Sequence, residues 1–159
     1  MLRFEEVTEQ NVWDILALNV SSNQMSFVAS NAVSLTEAYL ILSKGGHVFP
    51  FGLYDEAQLV GFIMLGYGKC WDSAPEIAES NYNLWRLMID KRYQGNGYGK
   101  KAVELATEFV NTFPNGPAKY LWLSYEPENR LAQNLYAKCG FQETGEKDGE
   151  ELIAVLNLS

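Results

Sequence analysis

The chain has 159 residues, of which 47% are hydrophobic and 20% are charged, and its formal net charge at pH 7 is −8. These values are typical of a globular protein with a substantial core, so we expect one domain over residues 1–159. The negative charge argues against nucleic acid and anionic membrane surfaces as partners, and it is compatible with a cationic substrate. Cys70 and Cys139 form neither a metal-ligand nor a disulfide pattern. The lack of a disulfide framework makes a reducing cytoplasm the expected location. Because no apolar run approaches a membrane span and Met1–Glu5 leads into a strand, we expect neither a membrane helix nor a signal peptide.

The first half of the sequence predicts a strand, two helices, a hairpin and a loop. Alternating polarity indicates the strand. Thr8 or Asn11 is suited to begin the first helix, and Ser34 with Glu37 has the spacing of a capping box for the second. Pro75 interrupts the acidic loop that follows the hairpin. In chain order the elements are expected at residues 2–7, 11–19, 34–45, 48–54, 58–67 and 69–81.

The second half predicts a strand, a helix and a strand, then a further helix and a closing hairpin. The first two strands are nearly continuous apolar runs, as in strands that are buried on both faces. A strand, helix and strand in succession form a right-handed unit, so these two strands should be parallel. The expected positions are residues 84–89, 100–113, 120–125, 128–139, 141–146 and 151–158.

The turn between strand and helix contains three glycines, Gly95, Gly97 and Gly99. Glycines allow positive φ and close approach of a ligand, and the unpaired amides and dipole at the start of a helix attract phosphate. A Walker loop is excluded because Lys101 follows Gly99-Lys100. A dinucleotide loop starting at Gly97 is not excluded, since Ala102 is tolerated at its third position. An ordinary strand-to-helix turn is the other alternative.

The fuller match is Gln94-x-x-Gly97-x-Gly99, which resembles the Q/R-x-x-G-x-G/A pyrophosphate loop of the GNAT superfamily of acyl-CoA-dependent N-acetyltransferases. The segment 129–141, NRLAQNLYAKCGF, is similar to a second motif of that family, N-x-x-A-x-x-L-Y-x-K-x-G-F. Three further stretches, 24–39, 85–95 and 148–150, most resemble bacterial spermine/spermidine (diamine) acetyltransferases. The resemblance covers nearly the whole chain.

This resemblance implies the GNAT fold, an α/β (α+β) arrangement in which about four helices flank a mixed sheet of about seven strands with a splayed parallel pair at its centre. It also implies acetyl-CoA as cosubstrate and no metal. The pantetheine arm would pair with the strand edge, the amide of Met88 would bind the thioester carbonyl, and Asn129 would hold the arm. The residues expected to bind acetyl-CoA are Leu87, Met88, Ile89, Gln94, Gly95, Asn96, Gly97, Tyr98, Gly99, Lys100 and Asn129.

The resemblance implies that Tyr136 is the general acid. A tyrosine with a pKa of about 10 stays protonated at neutral pH and can donate to a departing thiolate. The general base is left open, because Trp85 and Arg86 stand near the position where many relatives have a carboxylate. Loss of the amine proton through water, toward Glu37 or the acidic loop, is a hypothesis. His47, the only histidine, is expected to be structural.

A polyamine such as spermidine or spermine is the expected acceptor. Carboxylates could bind its ammonium groups, and aromatic rings could pack on its methylenes. The residues expected to bind it are Gln24, Asn31, Glu37, Asp72, Glu76 and Trp85. The alternatives are a GNAT enzyme that acts on a protein amine or an aminoglycoside, and a catalytically silent CoA-binding regulatory module. The sequence leaves open whether the chain forms a homodimer.

Overall fold

The computed structural model describes residues 1–159 and contains one seven-stranded sheet and four helices. The helices are Val12–Leu16 (α1), Asn31–Ser43 (α2), Tyr98–Asn111 (α3) and Arg130–Lys138 (α4). The strands are Leu2–Glu6 (β1), His47–Asp55 (β2), Gln58–Tyr67 (β3), Tyr82–Ile89 (β4), Tyr120–Tyr125 (β5), Gln142–Asp148 (β6) and Glu151–Asn157 (β7). Single turns of 3-10 helix lie at Ser22–Gln24 and Glu76–Ala78.

The strand order is β1-β2-β3-β4-β5-β7-β6. All neighbouring strands are antiparallel except β4 and β5, which are parallel as the sequence predicts. The order also places β7, rather than β6, next to β5. The last strand of the chain therefore lies close to the centre of the sheet.

Helices cover both faces of the sheet. Helix α3, with buried Val103 and Val110, packs on one face in the larger apolar cluster, and Leu135 of α4 contacts that cluster. Helices α1 and α2 pack on the other face around Phe62 and Met64 of β3. On that second face, the loop between β3 and β4 covers Trp122 of β5 through a smaller cluster.

An aromatic cluster holds α3 in position. The ring of Phe109 makes edge-on contacts with Phe4, Phe49 and Phe51, at centroid distances of 6.3, 5.5 and 5.3 Å. Such pairs contribute about 0.5–1.5 kcal/mol each beyond the area that they bury. The cluster fixes α3 against β1 and β2, so the glycine turn at the start of α3 has a rigid support.

Helix α2 begins one turn earlier than the sequence predicts. Its cap is Ser30, whose hydroxyl accepts a hydrogen bond from the amide of Val33. The predicted cap, Ser34, is buried inside the helix and its hydroxyl has no partner. The predicted capping box is therefore wrong, and the Glu37 side chain instead accepts a hydrogen bond from Arg86 of β4.

Candidate active site

A cavity of about 650 Å³ opens where β4 and β5 separate. The two parallel strands pair only at their beginnings, through Tyr82 with Leu121 and Asn83 with Trp122. Beyond these pairs, β4 from Leu84 onward has no strand partner on that side. The Ile89 carbonyl accepts a hydrogen bond from the Gln94 side chain at 2.9 Å, and the other backbone groups on this edge are available to a ligand. The volume lies within the usual range of small-molecule sites.

The glycine loop forms one end of the cavity. Gly95 and Gly97 have φ values of +81° and +80°, a left-handed conformation that favours glycine. Gly97 is the cap of α3 and supplies no side chain, so the first amides of the helix remain available to an anion. A side chain at Gly99 would lie 3.4 Å from Leu135, which shows how closely α3 and α4 approach here.

Tyr136 reaches the cavity from α4. Its ring stacks on Tyr125 at a centroid distance of 6.2 Å and packs edge-on against Phe141 at 5.7 Å. Burial raises the pKa of the Tyr136 hydroxyl above its ordinary value, and the neighbouring Cys139 thiol adds to the shift. The hydroxyl therefore keeps its proton at neutral pH.

A bulge turns two consecutive residues of β4 toward the face that α1 and α2 cover. The register between β3 and β4 shifts between Met64 and Leu65, which leaves Trp85 as the extra residue. Trp85 packs in the apolar cluster of that face, and Arg86 donates to Glu37 of α2 at 3.0 Å. Both side chains therefore lie on the side of the sheet opposite to Tyr136.

Arg86 is the one cationic residue among those that line the cavity. Its guanidinium is mostly buried, and its Cζ lies 5.4 Å from the centre of the Trp85 ring. Burial lowers the pKa of Arg86, whereas the charges of Glu37 and Glu151 oppose this shift. The ring of Trp85 also stacks on Trp71 at 5.0 Å, so it already has protein partners.

Sequence reasoning missed the wall that β5 and β7 supply. Ser124, Tyr125, Glu126 and Glu151 all line the cavity. The signal for the first three was present, because ligands bind at the carboxyl ends of parallel strands, and Ser124 and Tyr125 end β5 while Glu126 follows it directly. Glu151 had no such signal, since its place depends on β7 pairing with β5.

Most residues predicted to bind acetyl-CoA line this cavity, and two do not. Asn96 is exposed and donates to the carbonyl of Tyr93, while Lys100 points toward Glu104. Those that line it are Leu87, Met88, Ile89, Gln94, Gly95, Gly97, Tyr98, Gly99 and Asn129. Asn129 also caps α4 by accepting from the amide of Ala132 at 3.2 Å.

The predicted acceptor residues are more scattered. Gln24 and Trp85 line the cavity, but the side-chain oxygen of Gln24 accepts a hydrogen bond from Gln94 at 2.9 Å. Asn31 is buried away from the cavity, where it donates to the carbonyl of Ile15. Three others are absent from the lining: Glu37, which is paired with Arg86, and the exposed Asp72 and Glu76.

The comparisons with known proteins identify this architecture. The sequence pattern of the acetyltransferase (GNAT) family matches residues 13–141. The chain belongs to this family. It is 38% identical over 159 residues to the spermine/spermidine N(1)-acetyltransferase of Bacillus subtilis (strain 168), with 96% of each chain covered. The chain is thus a GNAT N-acetyltransferase.

Two solved structures share the fold. A structure of the aminoglycoside acetyltransferase AAC(6')-Ib with coenzyme A aligns with a TM-score of 0.79 at 18% identity, over 99% of this chain and 95% of the other. The spermidine N-acetyltransferase of Vibrio cholerae, in complex with CoA and spermine, aligns with a TM-score of 0.67 at 20% identity, over 99% and 94%. At these identities the two structures support the fold alone.

The site fits acetyl-CoA, the cosubstrate of this GNAT enzyme. The free edge of β4 offers unpaired backbone groups to an extended arm, and the left-handed Gly97 exposes the amides at the start of α3 to a pyrophosphate. The chain contains no group of three or more His, Cys, Asp or Glu side chains placed to hold a metal ion. No helix has both the length and the apolar character that crossing a membrane requires.

Proposed function

We propose that this protein is a cytoplasmic enzyme that transfers the acetyl group of acetyl-CoA directly to a primary amine of a polyamine such as spermidine or spermine. The observation that carries the proposal is the cavity between β4 and β5, which has the glycine loop at one end and the Tyr136 hydroxyl in its wall. The 38% identity to a spermine/spermidine N(1)-acetyltransferase over 96% of the chain supports the acceptor class.

The residues of the chain have separable roles in this proposal. Acetyl-CoA supplies an acetyl thioester. The amides after Gly97 hold its pyrophosphate, the free edge of β4 from Leu87 to Ile89 holds its arm, and Asn129 contacts the arm from the other side. Tyr136 then donates its proton to the departing sulfur, for which a hydroxyl with a raised pKa remains protonated.

The charge of the cavity favours a cationic acceptor. Two carboxylates, Glu126 and Glu151, line the same cavity, whereas Arg86 is its one cation and is already paired with Glu37. The formal net charge of −8 adds a negative field that attracts a polycation at low salt. A neutral or anionic acceptor would gain nothing from this distribution.

The test measures thiol release from acetyl-CoA with spermine, spermidine, putrescine, a lysine peptide and an aminoglycoside in parallel. We expect turnover with the polyamines, and a kcat at least tenfold lower for Tyr136→Phe, which corresponds to about 1.4 kcal/mol of barrier. Tyr120→Phe is the matched control, since Tyr120 lies at the start of β5 and does not line the cavity.

Each other outcome has a definite meaning. Turnover with the peptide or the aminoglycoside but not with polyamines would refute the acceptor class and leave the transferase intact. Binding of CoA without turnover of any amine would refute catalysis and favour a regulatory module. Equal kcat values for Tyr136→Phe and Tyr120→Phe would refute the role of Tyr136 as acid.

A further inference from the structure

Tyr136 and Arg86 reach the cavity from opposite faces of the sheet. Tyr136 reaches the cavity from the face that α3 and α4 cover. Arg86, bonded to Glu37 of α2, reaches it from the opposite face. A thioester held in the gap between β4 and β5 is therefore accessible from both sides. If the leaving sulfur faces Tyr136, the attacking amine has to approach from the side of α1 and α2.

Only two carboxylates line the cavity, Glu126 and Glu151. Glu37 is engaged by Arg86 at 3.0 Å, and the acidic side chains of the loop between β3 and β4 lie outside the cavity. Glu37 and the acidic loop were the proton acceptors that the sequence suggested, and neither lines the cavity. The remaining candidates for the general base are Glu126 and Glu151, which the sequence did not indicate.

Glu151 lies on the face from which the amine approaches. Ile153, two residues further along β7, packs against Trp122 in the cluster under the loop between β3 and β4. Because alternate residues of a strand share a face, Glu151 projects to that same side. The opposing charge that it exerts on Arg86 is consistent with this position.

Ser124 orients the Glu151 carboxylate. The Ser124 hydroxyl, at the end of β5, donates a hydrogen bond to Oε1 of Glu151 at 2.9 Å, and Oε2 has no protein partner. One oxygen is thus fixed and the other is free for an amine or a water molecule. The Glu126 side chain has no comparable hydrogen bond, and it follows β5 at the beginning of the loop to α4.

We propose that Glu151 is the general base of the transfer and that Ser124 is its positioning residue. The inference rests on the proposed function as an N-acetyltransferase, but it does not require that the acceptor be a polyamine. Acid and base then act from opposite faces of the sheet, with the thioester between them.

The proton balance of the step is complete. The ammonium group of the acceptor first passes one proton to Oε2 of Glu151, which releases it to solvent, and the neutral amine nitrogen then attacks the acetyl carbon. The bond between carbon and sulfur breaks, and the sulfur takes the proton of the Tyr136 hydroxyl. The nitrogen loses its second proton as the amide forms and Tyr136 regains one, so neither residue changes over the cycle and one proton is released.

The charged groups near Glu151 are Arg86 of β4, whose guanidinium is also bonded to Glu37 of α2, and Glu126 after β5, which lines the same cavity. The free carboxylate of a glutamate is ionised at neutral pH, where an alkyl amine of pKa about 10 is almost fully protonated. A base is therefore needed most at neutral pH and least near pH 10.

The experiment measures kcat across this pH range, with saturating acetyl-CoA and whichever amine the unmodified chain turns over. For Glu151→Gln we expect kcat to fall about 100-fold at neutral pH and the deficit to shrink steadily toward pH 10. The KM for acetyl-CoA should change less than about twofold. Ser124→Ala, which keeps the carboxylate but frees its Oε1, should show a smaller deficit of several-fold with the same pH trend.

Two other Glu→Gln substitutions serve as references. Glu146 lies on the exposed strand β6, in the same hairpin as Glu151, so Glu146→Gln should have the same kcat as the unmodified chain. Glu126→Gln tests the rival base. A large kcat loss in Glu126→Gln with little change in Glu151→Gln would overturn the proposal, and so would a Glu151→Gln deficit of equal size at every pH.

The outcome also separates this inference from the acceptor class. If a lysine peptide but not a polyamine is acetylated, the polyamine proposal fails, and the same pH series with the peptide still decides the role of Glu151. If Glu151→Gln unfolds, Ser124→Ala decides: a kcat equal to that of the unmodified chain, or a kcat deficit of the same size at every pH, would overturn the assignment.

Discussion

Asp90, at the turn between β4 and the glycine loop, should make a measurable contribution to stability. Its side chain is 3% exposed, and Oδ2 accepts the amide of Asn19 while Oδ1 accepts the amide and Nε of Arg92, at 3.0, 3.0 and 2.7 Å. Hydrogen bonds to a charged group contribute about 1.5–3 kcal/mol each, and both amides belong to exposed residues that water can partly solvate. We therefore expect Asp90→Ala to lower the free energy of unfolding by about 3 kcal/mol, and the isosteric Asp90→Asn by about half of that.

The pH dependence of this contribution has a definite sign. Burial alone would raise the pKa of Asp90, but the bonds from Arg92 and Asn19 outweigh it and lower the pKa below its ordinary value. A carboxylate with a depressed pKa in the folded state stabilises the fold above its unfolded pKa of about 3.9, and this stabilisation is lost as pH falls through the folded value. The difference between the unmodified chain and Asp90→Asn should be constant above about pH 5 and shrink below about pH 4.

Urea unfolding of the three proteins over this pH range tests the reasoning. The control is Asp72→Ala, an exposed aspartate without a hydrogen bond, which should change the free energy of unfolding by less than about 0.5 kcal/mol. Equal losses for Asp90→Ala and Asp72→Ala would refute the assignment of hydrogen-bond energy to Asp90. A difference between unmodified chain and Asp90→Asn that stays flat down to pH 3 would refute the depressed pKa.

Two further predictions concern the glycine loop. Gln94→Ala and Gln24→Ala should each raise the KM of the acceptor several-fold, and the double variant should do little more, because one hydrogen bond of 2.9 Å joins the two side chains. Additive effects in a double-mutant cycle of acceptor KM would contradict this coupling. Gly97→Ala should lower the free energy of unfolding by about 1–2 kcal/mol, because Gly97 has a φ of +80°. Gly99→Ala should lower it by less than about 0.5 kcal/mol, because Gly99 has an ordinary helical φ and the new Cβ would lie 3.4 Å from Leu135. Thermal or urea unfolding that ranks these variants in the opposite order would show that backbone strain at Gly97 is not the determining factor.

The sequence predicted those parts of the fold that local patterns determine. The strand, glycine turn and helix from Tyr82 to Asn111 follow from an apolar run, three glycines and a helical repeat, and the structure has them in that order. The start of α2 was wrong because Ser30 and Ser34 are one turn apart and both suit a cap. Which of them accepts the amide of Val33 depends on where the chain leaves the preceding loop.

The site was less predictable because it joins residues that are distant in sequence. The glycine loop and Tyr136 were found through contiguous motifs, and both line the cavity. Glu151 and Ser124 meet because β7 lies beside β5, a strand order that no periodicity encodes. The acidic loop was considered for its charge, but burial of Ala74 and Ala78 anchors it over Trp122, with Asp72 and Glu76 pointing to solvent.

The short pairing between β4 and β5 makes the molecule a pair of half-sheets. One half contains β1 to β4 and the other contains β5, β7 and β6, and within each half every neighbouring pair is antiparallel. Only two residue pairs join the halves across the centre. A ligand arm that hydrogen-bonds along the gap would act as a strand between them, so occupancy of the site and cohesion of the two halves should rise and fall together.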